Sequence, residues 1–345
     1  MMRVCFATDS RDPSGMGVHM LTLAETLADC AVTVLAPRET ALFAEARKRF
    51  PVMAYPGDGW ALEAFLRAGA FDLVHLHAGI GWEGHEIAAA AARTGVPLIR
   101  SEHLPYLITD PGQQARYAEM SRQVAATIAV SEAVAASYRG SGLLAHAPVT
   151  IRNGIAPPAP REGTLARFER NGERPLLLNV GRLTAQKNQA LLVDAVMLLA
   201  GRGRAVDLML VGDGPDRAAL LRHIRLVGAE RYVRLMGHRD DASTLMAGGD
   251  LYVHASAFEG LPLVLLEAMA VGLPIVALSA PGVDEALDAE TAWLVENANA
   301  EALAAAIERA LGDADATRKR IAAAQQCQND HFAAARMAAE TRALY

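Results

Sequence analysis

Short apolar runs rich in Val, Ile and Leu alternate along this chain with longer Ala- and Leu-rich stretches whose apolar residues recur at helical spacing. Such runs fit strands buried on both faces, and their alternation with helices predicts parallel βα units rather than a sandwich or a bundle. In the first half the predicted strands are residues 3–8, 31–36, 73–76, 97–101 and 127–130. Among the helices between them is 18–29, with Met20, Leu23, Ala24 and Leu27 along one face. The second half repeats the style, with strands predicted at 176–180, 207–211, 233–236, 251–254 and 274–277. Between the halves stands Asn153-Gly154-Ile155-Ala156-Pro157-Pro158-Ala159-Pro160, whose proline density forbids a regular element and marks a linker. The pattern predicts an α/β protein of two doubly wound, Rossmann-like domains facing across a cleft. Their bounds are 1–155 and 176–324, with a linker over 156–175 and a C-terminal amphipathic helix over 325–345 carrying Phe332, Ala335, Met337 and Leu344.

A length of 345 residues accommodates two domains of ordinary size, and 52% hydrophobic with 21% charged residues fits packed cores rather than disorder. No stretch approaches the roughly 18 apolar residues that a spanning helix needs. The N-terminal run meets Asp9 without a cleavage signal, and Cys5, Cys30 and Cys327 are scattered without CxxC spacing. The expectation is a cytoplasmic protein with neither a disulfide framework nor a cysteine metal site. A net charge of −6 argues against nucleic-acid binding, and neither half is basic: 13 Lys/Arg face 15 Asp/Glu before residue 155, and 20 face 24 after it. The tight cluster Arg47-Lys48-Arg49 leaves two readings, a solvated helix end and a weak peripheral contact with an anionic membrane surface.

Ligands of open α/β sheets bind at the C-terminal ends of strands, so chemistry is sought on the loops that follow them. After the first strand comes Asp12-Pro13-Ser14-Gly15-Met16-Gly17, where two glycines allow close backbone approach ahead of a helix. The dinucleotide fingerprint G-x-G-x-x-G fails there because Met20 holds the third glycine position. A ligand-facing loop and a plain turn both remain open. The strand at 176–180 leads into Gly181-Arg182-Leu183-Thr184-Ala185-Gln186-Lys187-Asn188, whose Arg182 fork and Lys187 point charge suit a diphosphate, as they would also suit solvent. The richest segment runs from Ala255 to Pro274. Pro262 fits a first helical turn and Gly272 a position just past the end, giving a helix of about ten residues. Glu267 stands in that helix among apolar neighbours, where an ionised carboxylate is costly unless donors meet it. Two ribose hydroxyls would serve, and so would a core arginine. Glu259 lies at the helix mouth, where the N–H groups of Gly260, Leu261 and Leu263 can hold a phosphate or a sugar hydroxyl.

These residues resemble the family 4 retaining glycosyltransferases of the GT-B fold. The resemblance is carried by Glu259-Gly260-x-Pro262 with Glu267 after seven intervening residues, by Gly181-Arg182-Leu183 with Lys187-Asn188, and by Val211-Gly212-Asp213-Gly214-Pro215. Fainter matches are Arg152-Asn153-Gly154-Ile155 and Ala280-Pro281-Gly282-Val283-Asp284-Glu285; in the first half they are the Gly15/Gly17 loop, His77 and His103. The resemblance implies that Arg182 and Lys187 neutralise a donor diphosphate, Glu267 holds the ribose, Glu259 grips the donor sugar and His103 lies beside the transferred sugar. It also implies retention of anomeric configuration by same-face attack of an acceptor hydroxyl, with no protein nucleophile, and a terminal helix that crosses back to the first domain. Charge developing on the leaving diphosphate is then met by cations and helix N–H groups, so no metal and no cofactor are expected. The co-substrate is a nucleoside-diphosphate sugar, with UDP favoured over GDP, and the acceptor carries a hydroxyl. Its identity and the oligomeric state have no signature in the sequence.

Three rival readings share the architecture. A nucleotide-sugar epimerase would use the same donor site without an acceptor. A catalytically idle sugar-nucleotide-binding protein would keep the site without turnover. A nicotinamide dehydrogenase lacks its third glycine and the acid expected after the second strand, which closes in Ala36-Pro37-Arg38.

Overall fold

Apolar runs that cannot expose either face to water need a layer of helices on each side, and the chain builds that arrangement twice. A computed structural model describes residues 1–11, 14–156, 174–239 and 241–345. The first unit comprises Met1–Ala156 with Phe332–Tyr345, and the second Pro157–His331. Most of the expected linker, 157–173, lies outside the described residues.

In the first unit, β1 (Met2–Ala7), α1 (Ser14–Thr26), β2 (Cys30–Ala36), α2 (Ala41–Ala46), β3 (Val52–Ala54) and α3 (Gly59–Gly69) precede β4 (Leu73–Ala78) and α4 (His85–Thr94). They are followed by β5 (Leu98–Glu102), α5 (Pro111–Ser121), β6 (Ala126–Ala129), α6 (Glu132–Ser141) and β7 (Val149–Thr150). The sheet order is β3-β2-β1-β4-β5-β6-β7, parallel throughout. The second unit runs β8 (Leu176–Val180), α7 (Gln189–Gly201), β9 (Asp207–Val211), α8 (Arg217–Leu226), β10 (Val233–Gly237), α9 (Ala242–Met246) and β11 (Leu251–His254). It continues with α10 (Leu263–Val271), β12 (Ile275–Leu278), β13 (Trp293–Val295), α11 (Ala300–Gly312) and α12 (Ala314–His331), in the parallel order β10-β9-β8-β11-β12-β13. Each sheet reverses its winding once, between β1 and β4 and between β8 and β11, and loops diverging at such a point leave room for a ligand.

The structure departs from the sequence expectations in three places. Strands β3, β7 and β13 lacked a signal because each has only two or three residues and pairs at or near a sheet edge. Helix α1 begins at Ser14 rather than 18, so Gly15 and Gly17 belong to its first turn instead of a preceding loop; Asp12 and Pro13 lie outside the described residues. The expected C-terminal helix over 325–345 is two helices. Residues 325–331 finish α12, and the chain then breaks at Phe332-Ala333, where Ile155 N–H donates to the Phe332 carbonyl (2.9 Å) and Ala334 N–H to the Ile155 carbonyl (3.0 Å). These two bonds replace helical ones at the break, and α13 (Ala334–Arg342) packs on the first unit.

Met337 and Ala338 of α13 join Met20, Leu23 and Ala24 of α1 in the first core, together with Val4, Phe6 and Val34 from the sheet. Leu177, Val193, Val196, Leu210, Val253 and Ile307 represent the second core. Among the described residues no helix is long and apolar enough to cross a membrane. Met337 is 1% exposed, so Met337→Ala should cost about 2–4 kcal/mol through lost transfer and a residual cavity. Urea melts of wild type and variant check this, and a loss below 1 kcal/mol would mean that α13 is only loosely docked.

Candidate active site

Backbone crowding at the mouth of the second sheet explains its glycines. Gly181 N–H donates to the Val211 carbonyl (2.9 Å), Leu183 N–H to the Asp213 carbonyl (3.0 Å) and Asp216 N–H to the Leu183 carbonyl (3.0 Å), so the loops after β8 and β9 interlock. Gly212 has φ +138°, and a Cβ there would overlap the Gly181 carbonyl oxygen. The loop after β8 also meets the loop after β11: Ala257 N–H donates to the Gln186 carbonyl, and the Gln186 amide to the Phe258 carbonyl, both at 2.8 Å. Gly282, at φ +82°, lets the loop after β12 press on the Glu259 and Gly260 carbonyls, while Glu259 N–H donates to the Pro281 carbonyl (2.9 Å).

Within this frame Lys187, at the end of a 3-10 turn over Ala185–Lys187, places Nζ 2.5 Å from Glu259 Oε1. His254 Nε2 lies 3.5 Å from the same oxygen, too long for a good hydrogen bond. Burial alone would push the Glu259 carboxyl up; the Lys187 ammonium and His254 outweigh it and hold the carboxyl at about 2. Burial keeps His254 below the usual imidazole range although Glu259 pulls the other way. Lys187 and Glu259, expected to serve diphosphate and sugar separately, are therefore one ion pair. An ammonium has three donors, so Lys187 keeps donors for a phosphate while bonded to Glu259. Arg182 follows β8 on the same loop with an exposed side chain.

Helix α10 starts at Leu263 behind Pro262, which supplies no side-chain cap, and ends at Gly272 in the left-handed region. Gly260 and Leu261 precede it, the Leu265 N–H donates to the Pro262 carbonyl (3.1 Å), and no side chain caps the start of the helix, where the positive end of its dipole lies. Glu267 has no hydrogen-bond or ion-pair partner among the described residues, and burial pushes its carboxyl up to about 7. The core-arginine alternative for Glu267 is thereby removed among those residues. Beneath the site the buried Tyr252 hydroxyl donates to the Val180 carbonyl (3.1 Å), joining β8 and β11 at the reversal.

In the first unit, His103 follows β5 and its N–H donates to the Ala78 carbonyl (3.0 Å). Its Nε2 is 3.2 Å from His77 Nδ1, and its ring stands edge-on to His19 of α1 with centroids 4.6 Å apart. His75 stacks on His77 at 4.2 Å and bonds the Ser101 hydroxyl (2.8 Å) and Tyr345 hydroxyl (2.6 Å). Burial lowers all four imidazoles, His19 to about 4, His75 to about 3, and His77 and His103 well below the usual range, so they are neutral at physiological pH. One nitrogen each of His19, His77 and His103 lies within 4.8 Å of the others, and neutral imidazole is the form that ligates a transition metal. Gly15 is exposed and Gly17 buried in the first turn of α1. Next to His103, Arg100 and Glu102 form a fully buried ion pair, with Tyr117 and Tyr138 hydroxyls donating to the Glu102 carboxylate at 2.8 and 2.9 Å. Arg100 also donates to the Glu83 and Gly81 carbonyls (2.6 and 3.2 Å), pinning the loop after β4.

Gln186, His19 and His75 drew no notice in the sequence. His75 and His77 alternate in an otherwise apolar strand, which puts both imidazoles on one sheet face, and that spacing was their available signal. Gln186 reaches the site only through tertiary contacts.

Two family models match, one to each half: Glycosyltransferase Family 4 over residues 13–157 and Glycosyl transferases group 1 over residues 174–313. The chain belongs to glycosyltransferase family 4. Among its relatives in this family are alpha-D-kanosaminyltransferase of Streptomyces kanamyceticus, 30% identical over 44% of this chain and 39% of that one, and the lipopolysaccharide core biosynthesis glycosyltransferase LpsE of Rhizobium meliloti, 32% identical over 46% and 45%. The chain thus spans less than half the length of these relatives. Anabaena HepE in complex with UDP and glucose superposes with a TM-score of 0.84 at 21% identity, covering 99% of both chains, which shows the GT-B fold shared by family 4.

The Glu259 carboxyl has an ordinary value of 4.5 and sits at about 2 in the fold. A depressed carboxylate stabilises above its unfolded value and loses that contribution as pH falls toward its folded one. Stability should therefore decline between pH 4.5 and 2, and Glu259→Gln should flatten this limb while costing about 2 kcal/mol at pH 7, where Lys187 loses its counter-charge. Urea midpoints measured across that range decide it, and parallel limbs in the two proteins would refute the assignment.

Proposed function

We propose that this family 4 member is a retaining, metal-independent glycosyltransferase that moves a sugar from a UDP-sugar to an acceptor hydroxyl. The observation that carries the reading is Glu267, a largely buried carboxylate without a protein partner, in the helix whose N-terminus is uncapped. An ionised carboxylate accepts two hydroxyl hydrogen bonds, as vicinal ribose hydroxyls would supply, and the helix N–H groups donate to phosphate oxygens. HepE is crystallised with UDP and with UDP-glucose, which supports the choice of base.

Cleaving the bond from anomeric carbon to phosphate leaves negative charge on the diphosphate. Arg182, Lys187 and the first turn of α10 hold that charge without reorganising, so they favour the transition state over the ground state. Glu259 keeps Lys187 in place and offers its second oxygen to a sugar hydroxyl. Neutral His103 hydrogen-bonds the sugar rather than transferring a proton at neutral pH. With no protein carboxylate assigned as nucleophile, the acceptor hydroxyl attacks on the face the diphosphate leaves, passing its proton to a leaving phosphate oxygen, and configuration is retained. The positive charges needed are protein groups, and no step calls for a metal.

A raised carboxyl costs stability once the unfolded chain ionises, a cost that grows from pH 4.5 to about 7 and then persists. Glu267→Gln should therefore stabilise the ligand-free protein by about 1–2 kcal/mol at pH 8 and weaken UDP binding at least tenfold. Thermal melts and calorimetric titration read both effects. Destabilisation with unchanged UDP affinity would make Glu267 structural and overturn the reading, and sugar inversion without acceptor would replace transfer by epimerisation.

A further inference from the structure

A cavity of about 1030 Å³ opens in the first unit where β1, β2 and β3 end. Its walls carry Arg11, Arg38 and Arg47 with Asp9, Glu39 and Tyr55. No described carboxylate pairs with any of the three arginines. The contrast lies within the Arg47-Lys48-Arg49 run: Lys48 is bound to Glu45 (2.5 Å) and Arg49 to Glu25 and Glu45, whereas Arg47 turns from the C-cap of α2 over the Phe43 ring into the cavity. Asp9 accepts the Gly84 N–H at 2.9 and 3.0 Å and keeps its charge, so among the described lining residues two carboxylates, Asp9 and Glu39, face three cations and the wall is left with a net positive charge. Burial, with Asp9 and Glu86 nearby, pushes the Tyr55 phenol up to about 12, so it stays a hydrogen-bond donor at any physiological pH.

We infer that this cavity binds the acceptor through an anionic group, and that the acceptor is an extended, negatively charged glycan or glycoside larger than a monosaccharide. The class follows from the wall: guanidinium forks bind phosphate or carboxylate in paired hydrogen bonds, and the two carboxylates with the tyrosine suit sugar hydroxyls. The size follows from the sheet. In the order β2-β1-β4-β5 the end of β2, which carries Arg38, and the end of β5, which carries His103, are three strand spacings apart, about 15 Å. Both ends lie on the same edge because every strand is parallel. A molecule anchored at Arg38 and Arg47 must bridge that span to bring a hydroxyl beside His103. This inference rests on the transferase reading for the role of His103, while the anion site itself does not.

The test titrates trehalose 6-phosphate and trehalose into the full-length protein saturated with UDP, so that diphosphate-binding groups of the second unit are occupied. Wild type should bind the phosphorylated sugar at least tenfold more tightly than trehalose. The double variant Arg38→Gln/Arg47→Gln should lose that preference while binding UDP unchanged. The control Lys48→Gln, at a neighbouring cation outside the cavity, should keep it. Equal affinity for the two sugars, no binding of either, or an undiminished preference in the double variant would each overturn the proposal. Loss of UDP binding in wild type would instead strike the transferase reading, so the two failures are distinguishable.

Discussion

A carboxylate taken out of water must be met by positive charge, and at Glu259 that requirement organises the second unit's loops. Its partner Lys187 comes from the loop after β8, its own backbone bonds the loop after β12, and His254 arrives from the strand beneath. Three loops that would otherwise move independently are held at the reversal of the sheet by one ion pair and the backbone contacts around it. Desolvation opposes this arrangement, and the low carboxyl value means that Lys187 and His254 together more than offset it. The glycines at 212 and 282 are the steric counterpart, because loops drawn this close leave no room for a Cβ.

Glu267 presents the reverse case eight residues later. It has the same charge type and similar burial but no partner, and its carboxyl rises instead of falling. The two carboxyls are displaced in opposite directions, Glu259 fixed in the scaffold by Lys187 and Glu267 raised by burial without a described partner. The first unit shows a comparable division. Arg100 and Glu102 satisfy each other and two tyrosines completely, which immobilises the loop after β4, while the neighbouring histidines stay neutral and keep nitrogens open. Rigid support beside incompletely satisfied polar groups is the usual geometry of a site built to receive something.

Much of this was legible in the sequence, for reasons that differ by residue. The long buried strands announce themselves because a strand covered on both faces needs an unbroken apolar run, and α10 is bracketed by Pro262 and Gly272, whose backbone preferences are local. Strands β3, β7 and β13 are too short to carry a period, and the early start of α1 ran against the turn preference of Gly15 and Gly17. The identities of Arg182, Lys187, Glu259 and Glu267 could be read from spacing, but the Lys187–Glu259 pairing could not, since residues 72 apart meet only through the fold. Within Arg47-Lys48-Arg49 the local spacing from Glu45 favours Lys48 at i+3 and Arg49 at i+4 over Arg47 at i+2, while the second partner of Arg49, Glu25, is met only through the fold.

The first unit is discontinuous in the chain, and this has a consequence for how the protein comes into being. Residues 332–345 complete its core against α1 and give His75 a hydroxyl partner, yet they are synthesised after every residue of the second unit. The first unit cannot complete its core until the second unit has been synthesised, because the segment carrying Met337 follows it in the chain. The N-terminal half, though made first, therefore depends for its complete core on a segment encoded beyond the whole of the second unit.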